Sequence, residues 1–281
     1  MIEHAGDGDN FDKNWRSTQE AHYLHWTREQ PGNQIQLAFR QHWLTFQELM
    51  GKEFTGRRVL EVGCGRGSLS AYFSDAGWDC TLLDLSPAAI QLARNAFSAH
   101  GLMAKFDVGD CMSLPYREKS FDLIFSIGLL EHFDQIDAVI REQVRVLAPG
   151  GLFIGYVVPH IPDNVQQEYR WFCDVLKALL PSDQTVKKTA VFRSDALSPP
   201  YLEAMKRLGL QKISASGTYP LPMISHSVDF PFSLLPPPAE KALVSHFTEV
   251  LEARKKNSGG RNPWLCDQGY GQAFIVWGFK A

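Results

Sequence analysis

The sequence has no excess of positive charge. Its 281 residues hold 28 lysines and arginines against 31 aspartates and glutamates, a formal net charge of −3. A basic stripe of the kind that neutralises a nucleic-acid backbone is therefore missing, and no nucleic acid is expected as partner. The clusters Lys187-Lys188 and Arg254-Lys255-Lys256 are short enough to read as solvated faces. Apolar runs long enough to span a bilayer are missing too. So is a secretory leader, because Met1 to Lys13 is acidic and glycine-rich, with neither a basic region nor an apolar one. Cysteine is sparse: Cys64, Cys80, Cys111, Cys173 and Cys266 are odd in number and widely spaced. That excludes the short spacings of zinc and redox sites, and no metal is expected. The expectation is a soluble, cytoplasmic protein with reduced thiols.

What is present is ordinary globular composition, 44% apolar and 21% charged, in a chain long enough for one large α/β domain with extra elements. Residues 1–52 read as an N-terminal helical arm or lid. It begins polar and frayed, then turns helical after the N-cap Asn33, with Ile35, Phe39, Trp43 and Phe46 on one face. Trp15, Trp26 and Trp43 suggest that the arm packs onto something. Residues 53–281 read as the main domain. From Arg57 to Val158, apolar strands alternate with helices, as in a parallel sheet. Strands are predicted at 58–62, 80–83, 104–108, 121–126 and 152–158, with two more at 210–214 and 273–279. The fold class is thus α/β, a Rossmann-like, mostly parallel seven-stranded sheet with helices on both faces. Insertions at about 159–198 and 219–262 are long for loops. With the arm, they are read as a cap over the carboxyl edge of the sheet, where open α/β sheets bind ligands.

The chemistry concentrates after the first strand. Gly63, Gly65 and Gly67 permit a tight turn and close backbone approach to a ligand at a helix N-terminus. Three neighbours sharpen this common feature. Glu61 lies two residues before the first glycine; the spacing is G-x-G-x-G, not the G-x-G-x-x-G of dinucleotide folds; and Asp84 ends the next strand, placed to accept two ribose hydroxyls.

These stretches resemble the class I S-adenosylmethionine-dependent methyltransferases. Val59 to Gly67 looks like their first motif and Leu83-Asp84-Leu85-Ser86 like the acidic end of their second strand. Gly109 to Pro115 resembles the adenine-gripping segment. Ser120 to Ser126 with Leu130-Glu131-His132 resembles the fourth-strand motif, and Arg145 to Gly151 the turn before strand five. The resemblance implies S-adenosyl-L-methionine as cofactor, leaving as S-adenosyl-L-homocysteine. It places Glu61, Gly63, Cys64 and Gly65 around the methionine end and Asp84 on the ribose. Leu85, Asp110, Cys111 and Met112 would surround adenine, and Ser126 would meet the methionine end.

His132 is the candidate catalytic base. It follows strand four at the height of a methyl acceptor, and imidazole titrates in the range suited to proton abstraction. The competing reading has it capping a turn. Tyr156, His160, Tyr169 and Trp171 are expected to line a pocket, and His226 and Asp229 are weaker candidates. Ser198-Pro199-Pro200-Tyr201 is similar to an amine-holding D/N-P-P-Y motif but falls outside the strand-four position; it reads as a helix start, Ser198 capping. The expected activity is methyl transfer to a small-molecule acceptor, oxygen slightly favoured over nitrogen. Two alternatives are a protein that binds S-adenosylmethionine without transfer and, disfavoured by the glycine spacing and Glu61, a nicotinamide-dependent oxidoreductase. Acceptor identity and oligomeric state stay open.

Overall fold

The alternation of apolar runs and helix signals becomes a twisted sheet wrapped by helices. The computed structural model describes residues 5–17, 25–160, 191–218, 236–267 and 273–281. In chain order the elements are α1 (Ala5–Ser17), α2 (Gln34–Met50), β1 (Arg58–Val62), α3 (Ser68–Asp75), β2 (Asp79–Asp84), α4 (Pro87–Ala99) and β3 (Lys105–Val108). Next come β4 (Phe121–Ile127), a 3-10 turn (Leu130–His132), α5 (Ile136–Val146) and β5 (Leu147–Val157). The last are α6 (Ser198–Arg207), β6 (Leu210–Thr218), α7 (Pro237–Asn257), β7 (Leu265–Cys266) and β8 (Ala273–Lys280).

The strand order is β3-β2-β1-β4-β5-β8-β6-β7. The five strands from β1 to β5 pair in parallel, whereas β8 runs antiparallel to both β5 and β6. Order reverses at β1, whose neighbours are β2 and β4, so a ligand crevice opens beyond its carboxyl end. Eight strands form where seven were expected. The additional one, β7, pairs Leu265 with Thr218 and Cys266 with Gly217; two residues are too few to show an alternating pattern.

Both faces of the sheet are covered. On one, Phe46 of α2 and Phe73 of α3 pack with Phe125 and Ile154; on the other, Val139 and Ile140 of α5 and Tyr201 of α6 pack with Ile124 and Phe153. The expected face of α2 is the one buried, so this half of the arm belongs to the core. Asn33 caps it, its side chain accepting the Gln36 N–H at 2.9 Å. Buried Glu240 of α7 accepts the Gln34 N–H at the same helix end, a favourable place for negative charge.

Two local expectations are corrected. The N-terminal stretch expected to fray contains α1, whose basis lies in the contacts described below. In α6, Leu197 is the N-cap and Ser198 the first helical residue, with no side-chain cap hydrogen bond. Much of the two insertions, residues 161–190 and 219–235, with Tyr169, Trp171, His226 and Asp229 among them, lies outside the described residues.

Candidate active site

The chain leaves β1 through Gly63, Gly65 and Gly67, with φ of 69°, 51° and 69°. At Gly67 a Cβ would lie 2.3 Å from Leu82 Cδ2, so only glycine fits beneath the start of α3. At Gly65 it would lie 2.8 Å from Cζ2 of Trp15; the bare backbone there is covered by an aromatic ring from α1. The Gly63 and Cys64 N–H groups donate to Leu83 O at 2.8 and 3.0 Å, tying the turn to the end of β2.

Asp84 completes the tie. Its Oδ2 accepts the Gly65 N–H at 2.8 Å and its Oδ1 the Ser86 N–H at 2.9 Å. Burial pushes its carboxyl above the usual range, against the pull of those N–H groups. Each oxygen keeps a second lone pair for a ligand hydroxyl. Leu85 follows, 53% exposed, an apolar surface beside the carboxylate. Ser86 caps α4, accepting the Ala89 N–H at 3.1 Å.

The remaining assigned residues separate by facing. Asp110 is exposed and accepts the Met112 N–H at 2.8 Å, leaving carboxylate capacity outward. Cys111 is buried among Leu114 and Leu83, with Met112 packed against the same cluster; burial pushes the Cys111 thiol up to about 12. Cys64 is buried as well. Ser126 is fully buried, and its Oγ has no hydrogen-bond partner among the described residues.

Glu61 is buried. Its carboxyl accepts the Ser70 N–H of α3 at 3.2 Å and braces the turn from below. Burial raises its pKa to about 8, well above its value in an unfolded chain. The unfolded state then binds fewer protons than the folded state between the two values, so stability falls as pH rises across that window. The slope from this one group approaches about 1.4 kcal/mol per pH unit. Glu61→Gln keeps an acceptor for Ser70 and is expected to flatten this decline. Thermal melts of both proteins from pH 5 to 9 check it; parallel curves would show Glu61 ionised in the fold.

His132 sits in the turn after β4, 8% exposed. Its Nδ1 lies 2.5 Å from Phe192 O. A carbonyl can only accept, so Nδ1 carries the proton and Nε2 the basic lone pair. The Phe11 ring of α1 meets the imidazole edge-on, centroids 4.9 Å apart. Next to it lies Glu131, which the sequence reading left without a role. It is 1% exposed, burial raises its carboxyl to about 7, and Oε2 has no hydrogen-bond partner among the described residues. Its signal was a second ionisable residue inside an otherwise apolar turn.

The other candidates stand apart. Tyr156 is buried with its ring 4.5 Å from that of His42, and burial raises its phenol, which stays protonated at neutral pH. His160 is exposed, its backbone N–H donating to Ser194 O at 2.8 Å. Tyr201 is fully buried in α6 against Phe274. Among the described residues no group of three or more His, Cys, Asp or Glu side chains is placed to hold a metal, and no helix is long and apolar enough to cross a membrane.

A glycine turn at the switch point, tied to an acidic strand end, matches a known family at these same positions. A family model described as a methyltransferase domain matches residues 60–155. Over these residues the chain is similar to a methyltransferase domain. The domain is 38% identical over 97 residues to norajmaline N-methyltransferase of Rauvolfia serpentina, covering 34% of this chain and 33% of that one. It is 36% identical over 101 residues to fatty-acid O-methyltransferase of Mycolicibacterium smegmatis, covering 35% and 36%. The match thus spans about a third of the length of these curated relatives. The YcgJ protein of Bacillus subtilis shares the fold, with a TM-score of 0.52 at 20% identity over 85% of this chain and 98% of that one.

S-adenosylmethionine is the cofactor that the sequence resemblance implies. The residues present suit it. Asp84 has lone pairs for ribose hydroxyls and Leu85 gives an apolar flank, while Trp15 covers the Gly65 backbone.

Proposed function

We propose that the protein transfers the methyl group of S-adenosylmethionine to a small-molecule acceptor, with a hydroxyl favoured over an amine. The observation that carries the preference is the imidazole of His132, held through Nδ1 by a backbone carbonyl so that Nε2 is the base. Relatives of both N- and O-methylating name occur, so the preference rests on this group. When bound, the cofactor supplies a methyl group made electrophilic by its sulfonium. The protein's part is orientation, exclusion of water and handling of one proton. Nε2 of His132 would take the hydroxyl proton of the acceptor as the methyl group is transferred. Asp84 and Leu85 would hold the nucleoside end, and Asp110 would accept from the adenine amino group. Without a basic stripe, a small acceptor fits better than RNA.

Ligand linkage tests the cofactor assignment. S-adenosylhomocysteine at a hundredfold excess over its Kd is expected to stabilise the fold by about 2.7 kcal/mol, read as a rise in Tm. NAD(H) and NADP(H) are expected to leave Tm unchanged. A shift with a nicotinamide cofactor and none with S-adenosylhomocysteine would overturn the proposal.

A further inference from the structure

One turn of helix α1 faces the proposed site. Phe11 and Trp15 are four residues apart and Asp12 is three from Trp15, so the three share a face of the helix. They are half-buried, while Lys13 and Arg16 are exposed. Trp15 sits on Gly65: a Cβ there would lie 2.8 Å from Cζ2 and 2.9 Å from Cη2 of the indole. The ring fills the space that the missing side chain leaves, and the Arg66 guanidinium stands over it at 5.9 Å. Asp12 accepts the Ser86 hydroxyl at 2.6 Å and the Ala88 N–H at 3.4 Å, just beyond Asp84 and Leu85. Phe11 meets the ring of His132, centroids 4.9 Å apart. The turn thus lies against the glycine turn, the end of β2 and the proposed base together.

We infer that α1 is an autoinhibitory element: docked α1 and bound cofactor exclude each other, because Trp15 holds the place at Gly65 that the methionine end would take. The inference rests on the proposed cofactor site. A glycine serves a ligand there by letting the backbone be approached closely. An indole packed this closely on Gly65 leaves no room for a second group on that side. Charge acts in the same direction. Asp12 brings a second carboxylate to the end of β2, and its charge adds to the burial that raises the Asp84 carboxyl. The helix is also poorly made to hold itself. It is 13 residues long with Gly6 and Gly8 in its first turn, marginal in isolation, and the Asp12 carboxylate ties it to α4. The docked form therefore competes with the cofactor, whose apparent affinity falls in proportion to the population of the released form.

The test is the affinity of the full chain for S-adenosylhomocysteine, measured by calorimetric titration in the wild type, Trp15→Ala and Asp12→Ala. Neither substitution changes a residue assigned to the cofactor. With the released form a minor state, populated at about 10% or less, each variant is expected to bind about tenfold more tightly than the wild type. Amide hydrogen exchange gives a second readout. Addition of S-adenosylhomocysteine to the wild type is expected to speed exchange in residues 5–17, because α1 is displaced. A helix that closes over the cofactor would instead exchange more slowly, and its variants would bind more weakly. Slower or unchanged exchange in α1, or affinity in both variants no tighter than that of the wild type, overturns the inference and leaves the cofactor reading in place. No binding by any of the three proteins removes the cofactor reading, and the inference with it.

Discussion

His132→Gln is expected to retain S-adenosylhomocysteine affinity and to lose roughly 10²–10⁴-fold in turnover of a hydroxyl acceptor, the range for a positioned general base. The measurement is release of S-adenosylhomocysteine against a panel of phenols, carboxylic acids and amines. Glutamine is nearly the size of histidine and can donate to Phe192 O, so the turn should survive the change. What it cannot do is accept a proton at neutral pH. The size of the loss also depends on the acceptor. An amine that attacks as its free base needs little proton transfer, and orientation alone carries its rate. A large loss with phenols and a small one with amines is therefore the signature of the base. Equal rates for variant and wild type across the panel would make His132 structural. Glu131, buried beside it with a carboxyl raised to about 7, would then be the next group to replace.

Asp84→Ala is expected to weaken S-adenosylhomocysteine binding by at least about 1.5–3 kcal/mol, the range for hydrogen bonds to a charged group. Two effects add. The ribose hydroxyls lose their acceptor, and the Gly65 and Ser86 N–H groups lose theirs, so the turn that meets the methionine end is loosened as well. Asp84→Asn separates them: the amide oxygen keeps one of the two backbone bonds, and its affinity should fall between the other two proteins. Calorimetric titration checks the order. Wild-type affinity in a folded Asp84→Ala would remove Asp84 from the cofactor site.

Most of the sheet could be read from the sequence because the parallel strands are covered on both faces. Val59, Leu60 and Val62 are all fully buried, and an uninterrupted apolar run reports that condition directly. The glycine turn was legible for a similar reason, since a positive φ at Gly65 and the Leu82 contact at Gly67 leave few choices of residue. Helix α1 was not. Its sequence contains Gly6 and Gly8 and five residues of mixed charge, poor material for an isolated helix. Asp12 bonding α4 and Trp15 covering Gly65 are tertiary facts with no local trace. The far half of β6 was hidden too, because Ala215-Ser216-Gly217-Thr218 has no apolar alternation and depends on pairing with β8. Facing was the hardest to foresee. Glu61, Cys111 and Ser126 sit in stretches that resemble a cofactor motif, yet their side chains are buried in the protein interior.

The place of β8 in the sheet bears on how the chain assembles during synthesis. Emerging segments fold as units from the N-terminal side, and β1 to β5 can pair as soon as residue 157 is free. Strand β6 differs: among the described residues its sheet partners are β8 and the two residues of β7. Some fifty residues that separate β6 from β8 must be made before β6 can join. Until then β5 presents an open edge to the cell, a surface on which another chain can add a strand. A ribosome stalled before residue 273 therefore holds the species most exposed to misassembly, with the cofactor half already built.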